Sequence, residues 1–189
     1  MLALSLAGCD TIGGIRYDFD SGNFGDKTRA VMNACASRMH DPAFGTIRGK
    51  IELIKAPPDG PVPFAILSNN ATPAADEQQA IQRWAQTVEN CQADARRLMD
   101  TIPLPPEATQ SQVEKLTGYI TDAWVEGSKL RVALHSGKIS YADYASQRQT
   151  AAEDTLKAAE RYAQDVDEES ETHDLEDVEM ALQPFASLL

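Results

Sequence analysis

The sequence has few of the residues that build metal and redox sites. Among 189 residues there are three cysteines and three histidines, and His40, His135 and His173 each stand alone in their segments. No His-x-x-x-His, His-Glu-x-x-His or Cys-x-x-Cys pairing is present to place two ligands on one helical face. The pattern excludes the common zinc motifs, and we predict neither a metal nor a cofactor.

Motifs of catalysis are also missing. There is no Gly-x-Ser-x-Gly elbow for a nucleophilic serine, and no glycine-rich loop of the phosphate-binding types. Carboxylates are plentiful, but they fall on polar helix faces or in the C-terminal segment, where a solvated role is typical. We therefore predict no catalytic residue and a protein that is not an enzyme.

Long apolar runs and basic stretches are absent as well. No run approaches the roughly 18–20 apolar residues that a transmembrane helix requires. Seventeen Lys and Arg stand against 29 Asp and Glu, which gives a net charge of −12. Nucleic-acid binding requires a basic stripe, so the charge excludes that class of partner.

What the sequence does have is the motif Leu6-Ala7-Gly8-Cys9 after an apolar run. It resembles the lipobox of bacterial lipoprotein signals, in which diacylglycerol and a further acyl chain such as palmitate are attached to the cysteine. The resemblance implies lipidation of Cys9, contact with membrane lipid through it, and a place in the bacterial cell envelope facing the periplasm. Asp10 resembles an inner-membrane retention signal.

The segment before Cys9 is short for an export signal. Only eight uncharged residues precede it, whereas a signal normally has a cationic region and an apolar stretch of roughly 7–15 residues. Either the natural start lies upstream of Met1, or the motif is accidental and the apolar start belongs to a cytosolic protein. In the lipoprotein interpretation, residues 1–8 are a signal remnant and residues 9–25 are the lipid anchor with a flexible tether.

If Cys9 carries lipid, Cys35 and Cys91 are the two cysteines that remain. An even remainder in an oxidising compartment favours a disulfide between them. The alternative is two buried free cysteines, which are common in protein cores.

Apolar residues at spacings of three and four predict helices near 27–40, 73–101, 110–136 and 140–166. Thr72-Pro73 marks a helix start, Gly137 a helix end, and Ser140 with Asp143 a capping box. We therefore predict an all-α domain over residues 26–166, an antiparallel bundle of about four helices. The proline-rich residues 42–72 are expected to form a long extended segment packed across the bundle.

The last residues combine acidic and apolar character. Residues 162–180 contain nine Asp and Glu and no Lys or Arg, which predicts a disordered acidic tail over 167–189 with a short amphipathic segment. Its terminal apolar residues are candidates for binding a partner; the alternative is that they pack on the bundle itself. These residues are Leu182, Phe185, Leu188 and Leu189.

A wider pattern runs through Gly49-Lys50-Ile51, Trp84, Cys91 and Gly137-Lys138-Ile139-Ser140-Tyr141. It resembles a group of exported bacterial helical proteins of unknown function. The resemblance implies a helical architecture and a disulfide, and no catalytic residue.

Two functions are consistent with these features. The first is a membrane-tethered periplasmic lipoprotein that acts as a non-enzymatic protein-interaction module with an envelope protein as partner. The alternative is a periplasmic sensor that binds a small ligand or a metal between the helices and the 42–72 segment.

Overall fold

The computed structural model describes residues 24–54, 61–104, 108–170 and 174–189, and it confirms the all-α class. The described residues form six α-helices where about four were expected. A 3-10 turn at Pro42–Phe44 follows the first of them. The helices are α1 (Phe24–Arg38), α2 (Phe64–Leu67), α3 (Ala75–Met99), α4 (Gln110–His135), α5 (Tyr141–Ser170) and α6 (Asp174–Ala186).

The turn between α4 and α5 has the predicted chemistry. Gly137 has a φ of 68°, and its N–H donates to the Leu134 carbonyl while the Lys138 N–H donates to Ala133, which is a Schellman cap. The capping box is confirmed, since the Asp143 N–H donates to Ser140 Oγ at 3.1 Å and the Ser140 N–H to Asp143 Oδ2 at 3.2 Å. These bonds fix where α5 leaves α4.

The start of α3 differs from the prediction. The helix begins at Ala75, after Thr72-Pro73, and Ala74 is the residue that precedes its first turn. Alanine offers no side-chain cap, but the Ala74 N–H donates to Glu77 Oε2 at 2.8 Å. Glu77 lies three residues after Ala74. Its side chain therefore supplies the cap that Thr72 was expected to supply.

The described part of the 42–72 segment is not extended throughout, because it contains the 3-10 turn and α2. Its apolar side chains are buried against α3 and α5, and the Trp84 indole N–H donates to the Leu53 carbonyl at 2.9 Å. Phe64, in contrast, is 84 % exposed. Residues 55–60 lie outside the described ranges. The buried apolar members of the segment are Phe44, Ile47, Ile51, Leu53, Val62 and Ile66.

The C-terminal residues belong to the core, which corrects the prediction of a separate acidic tail with a docking element. α5 runs on to Ser170, and α6 packs against both α4 and α5. The side chain of Asp167 accepts hydrogen bonds from the backbone N–H groups of Leu175 and Glu176 at 2.9–3.1 Å. An acidic group is favourable at a helix N-terminus, so this carboxylate helps α6 to form. The four residues expected to meet a partner, Leu182, Phe185, Leu188 and Leu189, are each 2 % exposed or less.

None of the described helices combines the length and the hydropathy needed to cross a lipid bilayer.

Candidate functional site

The predicted lipidation residue, Cys9, lies outside the described ranges, whereas the predicted disulfide is confirmed. Cys35 of α1 and Cys91 of α3 are bonded, with their Cα atoms 5.6 Å apart and both side chains fully buried. The guanidinium of Arg38 lies 3.8 Å from Cys91 Sγ and pairs with Asp94 at 2.7 Å. The bridge joins α1 to the rest of the helical core.

Arg131 places a guanidinium group inside that core. It follows Gly127 by one turn of α4, and only 2 % of its surface is exposed. None of its three side-chain nitrogens has a hydrogen-bond partner among the described residues. Burying a charge without a partner is costly, so Arg131 is the strongest candidate for a residue kept for more than packing.

Arg148 of α5 brings a second buried guanidinium to the same region. Its Nη1 donates to the Glu52 carbonyl at 2.6 Å and its Nη2 to the Ser187 carbonyl at 3.2 Å, while Nε has no partner. Arg148 therefore ties the 42–72 segment and the residues after α6 to α5. The Gln92 side chain of α3 holds the same C-terminal residues by donating a hydrogen bond to the Leu188 carbonyl at 2.7 Å.

Tyr144 of α5 lies beside both arginines. Its ring packs edge-on against Trp84, with the ring centroids 6.0 Å apart, and its hydroxyl group forms no hydrogen bond of ordinary geometry. Tyr144 and Arg148 also line a cavity of about 10 Å³, which is room for about one water molecule. The cavity is too small for an organic ligand.

Burial and neighbouring charge act on Arg131. Burial lowers the pKa of its guanidinium. Tyr144, whose hydroxyl interacts with the guanidinium, raises that pKa, the positive charge of Arg148 lowers it, and Glu89 raises it. Glu89 is exposed on α3. We name the group formed by Arg131, Tyr144 and Arg148 the buried cationic centre.

A second polar cluster joins the start of α3 to the start of α5. The carboxylate of Glu77, 7 % exposed, forms an ion pair with Lys50 and accepts a hydrogen bond from the Tyr141 hydroxyl at 3.1 Å. Burial raises the pKa of Glu77, but the Lys50 contact and the hydrogen bonds from Ala74 and Tyr141 lower it, and the net pKa lies below the ordinary value. Burial, with the nearby Glu77, raises the pKa of Tyr141. The cluster is fully paired and serves to hold three chain segments together.

The outer side of α4 has an open groove of about 460 Å³. Val125 and Val132 are 54 % and 64 % exposed in it, and Lys129 and Lys138 border it. Ser128 and Ala133 complete its lining. We name this exposed apolar strip the α4 groove.

Within the described ranges, no three His, Cys, Asp or Glu side chains come together as a metal site. The residues of the buried cationic centre were not singled out in the sequence. The available signal was the spacing of Arg131, which falls four residues after Gly127 and therefore on the same apolar stripe of α4. An arginine on a buried stripe marks an unusual core position.

No family model, curated protein or solved structure matches this chain.

Proposed function

We propose that this protein is a membrane-tethered lipoprotein of the bacterial cell envelope and acts as a non-enzymatic interaction module, with the α4 groove as its docking surface. The interaction role rests on the exposure of Val125 and Val132, which lie about two turns apart on the same face of a long helix. Anchoring rests on Leu6-Ala7-Gly8-Cys9. Periplasmic location is supported by the Cys35–Cys91 bridge, because disulfides persist in oxidising compartments.

The groove also indicates the kind of partner. Its floor is apolar and its border carries Lys129 and Lys138, so it favours an envelope protein that presents an apolar side chain next to carboxylates. The strongly acidic remainder of the chain would repel an acidic partner that approached from another side.

The finer architecture is part of the same proposal. The connection of five residues between α4 and α5 favours an antiparallel arrangement of these helices. We expect α3, α4 and α5 to form the bundle, with the 42–72 segment across it, and this rigid unit to present the groove.

Crosslinking in the native envelope tests the docking surface. A photoreactive amino acid at Val132 should give one discrete protein adduct, and the same group at exposed Asp154 of α5 should not. The adduct should disappear when Lys129→Glu and Lys138→Glu reverse the charge of the border. Equal adducts at both positions, or an adduct unaffected by charge reversal, would contradict the proposed surface.

Metabolic labelling tests the anchor. An alkynyl fatty acid should label the protein expressed with a complete export signal, and Cys9→Ser should remove the label. Equal labelling of both proteins would overturn the lipoprotein proposal.

The alternative function, a periplasmic small-ligand or metal sensor, has one supporting observation, the size of the α4 groove. Equilibrium dialysis and native mass spectrometry separate the two functions, because a sensor retains a defined small ligand and an interaction module does not.

A further inference from the structure

The buried cationic centre carries more positive charge than its protein contacts balance. Arg131 and Arg148 are 2 % and 4 % exposed. The hydrogen bonds described for Arg148 go to the neutral carbonyl groups of Glu52 and Ser187, and Arg131 has none. Arginine stays protonated in proteins, so two positive charges are buried together. Among the described side chains, no carboxylate forms a hydrogen bond with either guanidinium.

Five donor groups at the centre form no hydrogen bond of ordinary geometry, although the Tyr144 hydroxyl interacts with the Arg131 guanidinium. These are Nε, Nη1 and Nη2 of Arg131, Nε of Arg148 and the hydroxyl of Tyr144. The great majority of buried donors in proteins are satisfied, and a donor left unpaired destabilises the fold. Donors of this number and charge are what an anion requires.

The backbone of α4 one turn before Arg131 is closely approached by Leu189. Gly127 has no side chain, and a Cβ atom there would lie 3.2 Å from Arg131 Nη1 and 2.8 Å from the carbonyl carbon of Leu189. The guanidinium of Arg131 and the backbone of Leu189 therefore approach the same point of α4. A larger residue at position 127 would separate them.

We propose that the buried cationic centre binds one small anion, a chloride ion, beside the guanidinium groups of Arg131 and Arg148. The cavity lined by Tyr144 and Arg148 has room for about one water-sized group, which excludes sulfate, phosphate esters and larger organic anions. The inference is independent of the proposed docking function.

Thermal unfolding with chloride exchanged for gluconate at constant ionic strength tests the proposal. At a chloride concentration ten times the dissociation constant, binding to the folded state raises the folding equilibrium constant about elevenfold. That change corresponds to a rise in Tm of about 3–6 °C for a domain of this size. Arg131→Met should abolish the rise, and the control Arg83→Met, at an exposed position of α3, should retain it.

A crystal of the wild type grown in bromide gives a readout that does not depend on any variant folding. An anomalous bromide peak in contact with the Arg131 guanidinium supports the proposal. No peak at that place, or a chloride effect on Tm that persists in Arg131→Met, would overturn it.

Discussion

The indole N–H of Trp124 donates to the backbone carbonyl of Phe185 at 3.0 Å, which ties the middle of α4 to the end of α6. Both side chains are buried, with 2 % and 0 % of their surfaces exposed. A buried donor that loses its acceptor is destabilising. The indole N–H of Trp124 therefore keeps its hydrogen bond only when α6 is packed in this position.

The first prediction concerns this burial. Phe185→Ala should lower the free energy of unfolding by about 3–5 kcal/mol, because it removes a fully buried aromatic side chain. Met180→Ala in the same helix is the matched control, since Met180 is 56 % exposed and should change stability by less than about 0.5 kcal/mol. Urea unfolding measures both. Similar small effects would mean that α6 is not part of the core in solution.

The second prediction uses two glycines of α4. Gly118→Ala should stabilise the protein by about 0.5–1 kcal/mol, because alanine is the better helix former and nothing lies within 4 Å of the new Cβ. Gly127→Ala should destabilise it by about 1–3 kcal/mol, since the new Cβ would lie 2.8 Å from the Leu189 carbonyl carbon and backbone must move. Thermal unfolding should give opposite signs; two gains in stability would show that Leu189 does not pack there.

The third prediction concerns the disulfide. Reduction of the Cys35–Cys91 bridge should lower the free energy of unfolding by about 4 kcal/mol in the chain-entropy model for a 56-residue separation. Denaturant unfolding with and without reductant measures the loss. In the control, a protein with both Cys35→Ala and Cys91→Ala, reductant should change nothing. A wild-type protein equally stable in both conditions would contradict the prediction.

The fourth prediction concerns pH and two buried glutamates with opposite shifts. Burial, followed by the nearby Glu160 and Glu176, raises the pKa of Glu179, although Gln183 donates to it. The folded state therefore holds the Glu179 proton more tightly than the unfolded chain does. Its contribution to stability is full below the unfolded pKa of about 4.3 and is lost as pH rises through the raised folded pKa. Glu179→Gln should accordingly stabilise the protein at pH 7 and give no gain below pH 4.

Glu77→Gln is the counterpart with the opposite sign. Because the Glu77 pKa is lowered in the folded state, its contribution is present above the unfolded pKa and is lost as pH falls through the folded value. The substitution should destabilise the protein at pH 7, with a loss that shrinks in acid. Unfolding curves from pH 3 to pH 8 check both variants, and parallel pH profiles would contradict the assignment.

The parts of the fold that followed from the sequence are those with strong local signals. Regular apolar spacing indicated α3, α4 and α5, while Gly137 and the Ser140–Asp143 box set the turn between two of them. Such signals depend on residues within one or two turns of each other, and no tertiary contact is needed to interpret them.

The C-terminal part was misjudged because net charge was weighed over the whole of residues 162–180. The acidic groups do not act alike in the structure: Asp167 caps α6, and Glu179 is buried with a Gln183 contact. The chain folds back after α5, and this return decides which carboxylate lies at the N-terminus of α6. It is a tertiary property that local sequence does not specify. The same limit hid the buried cationic centre, whose members Arg131 and Arg148 come from different helices.

The burial of the apolar face of α6 and of the residues after it also sets the order in which the domain is completed during synthesis. These residues emerge after every helix that they cover, at a translation rate of about 5–20 residues per second. Until then the apolar sides of α4 and α5 that α6 covers remain exposed to solvent, whereas Cys35 and Cys91 are available to each other much earlier. The nascent chain therefore passes through a period in which these two cysteines can already meet while the apolar surface that α6 later covers is still open to solvent.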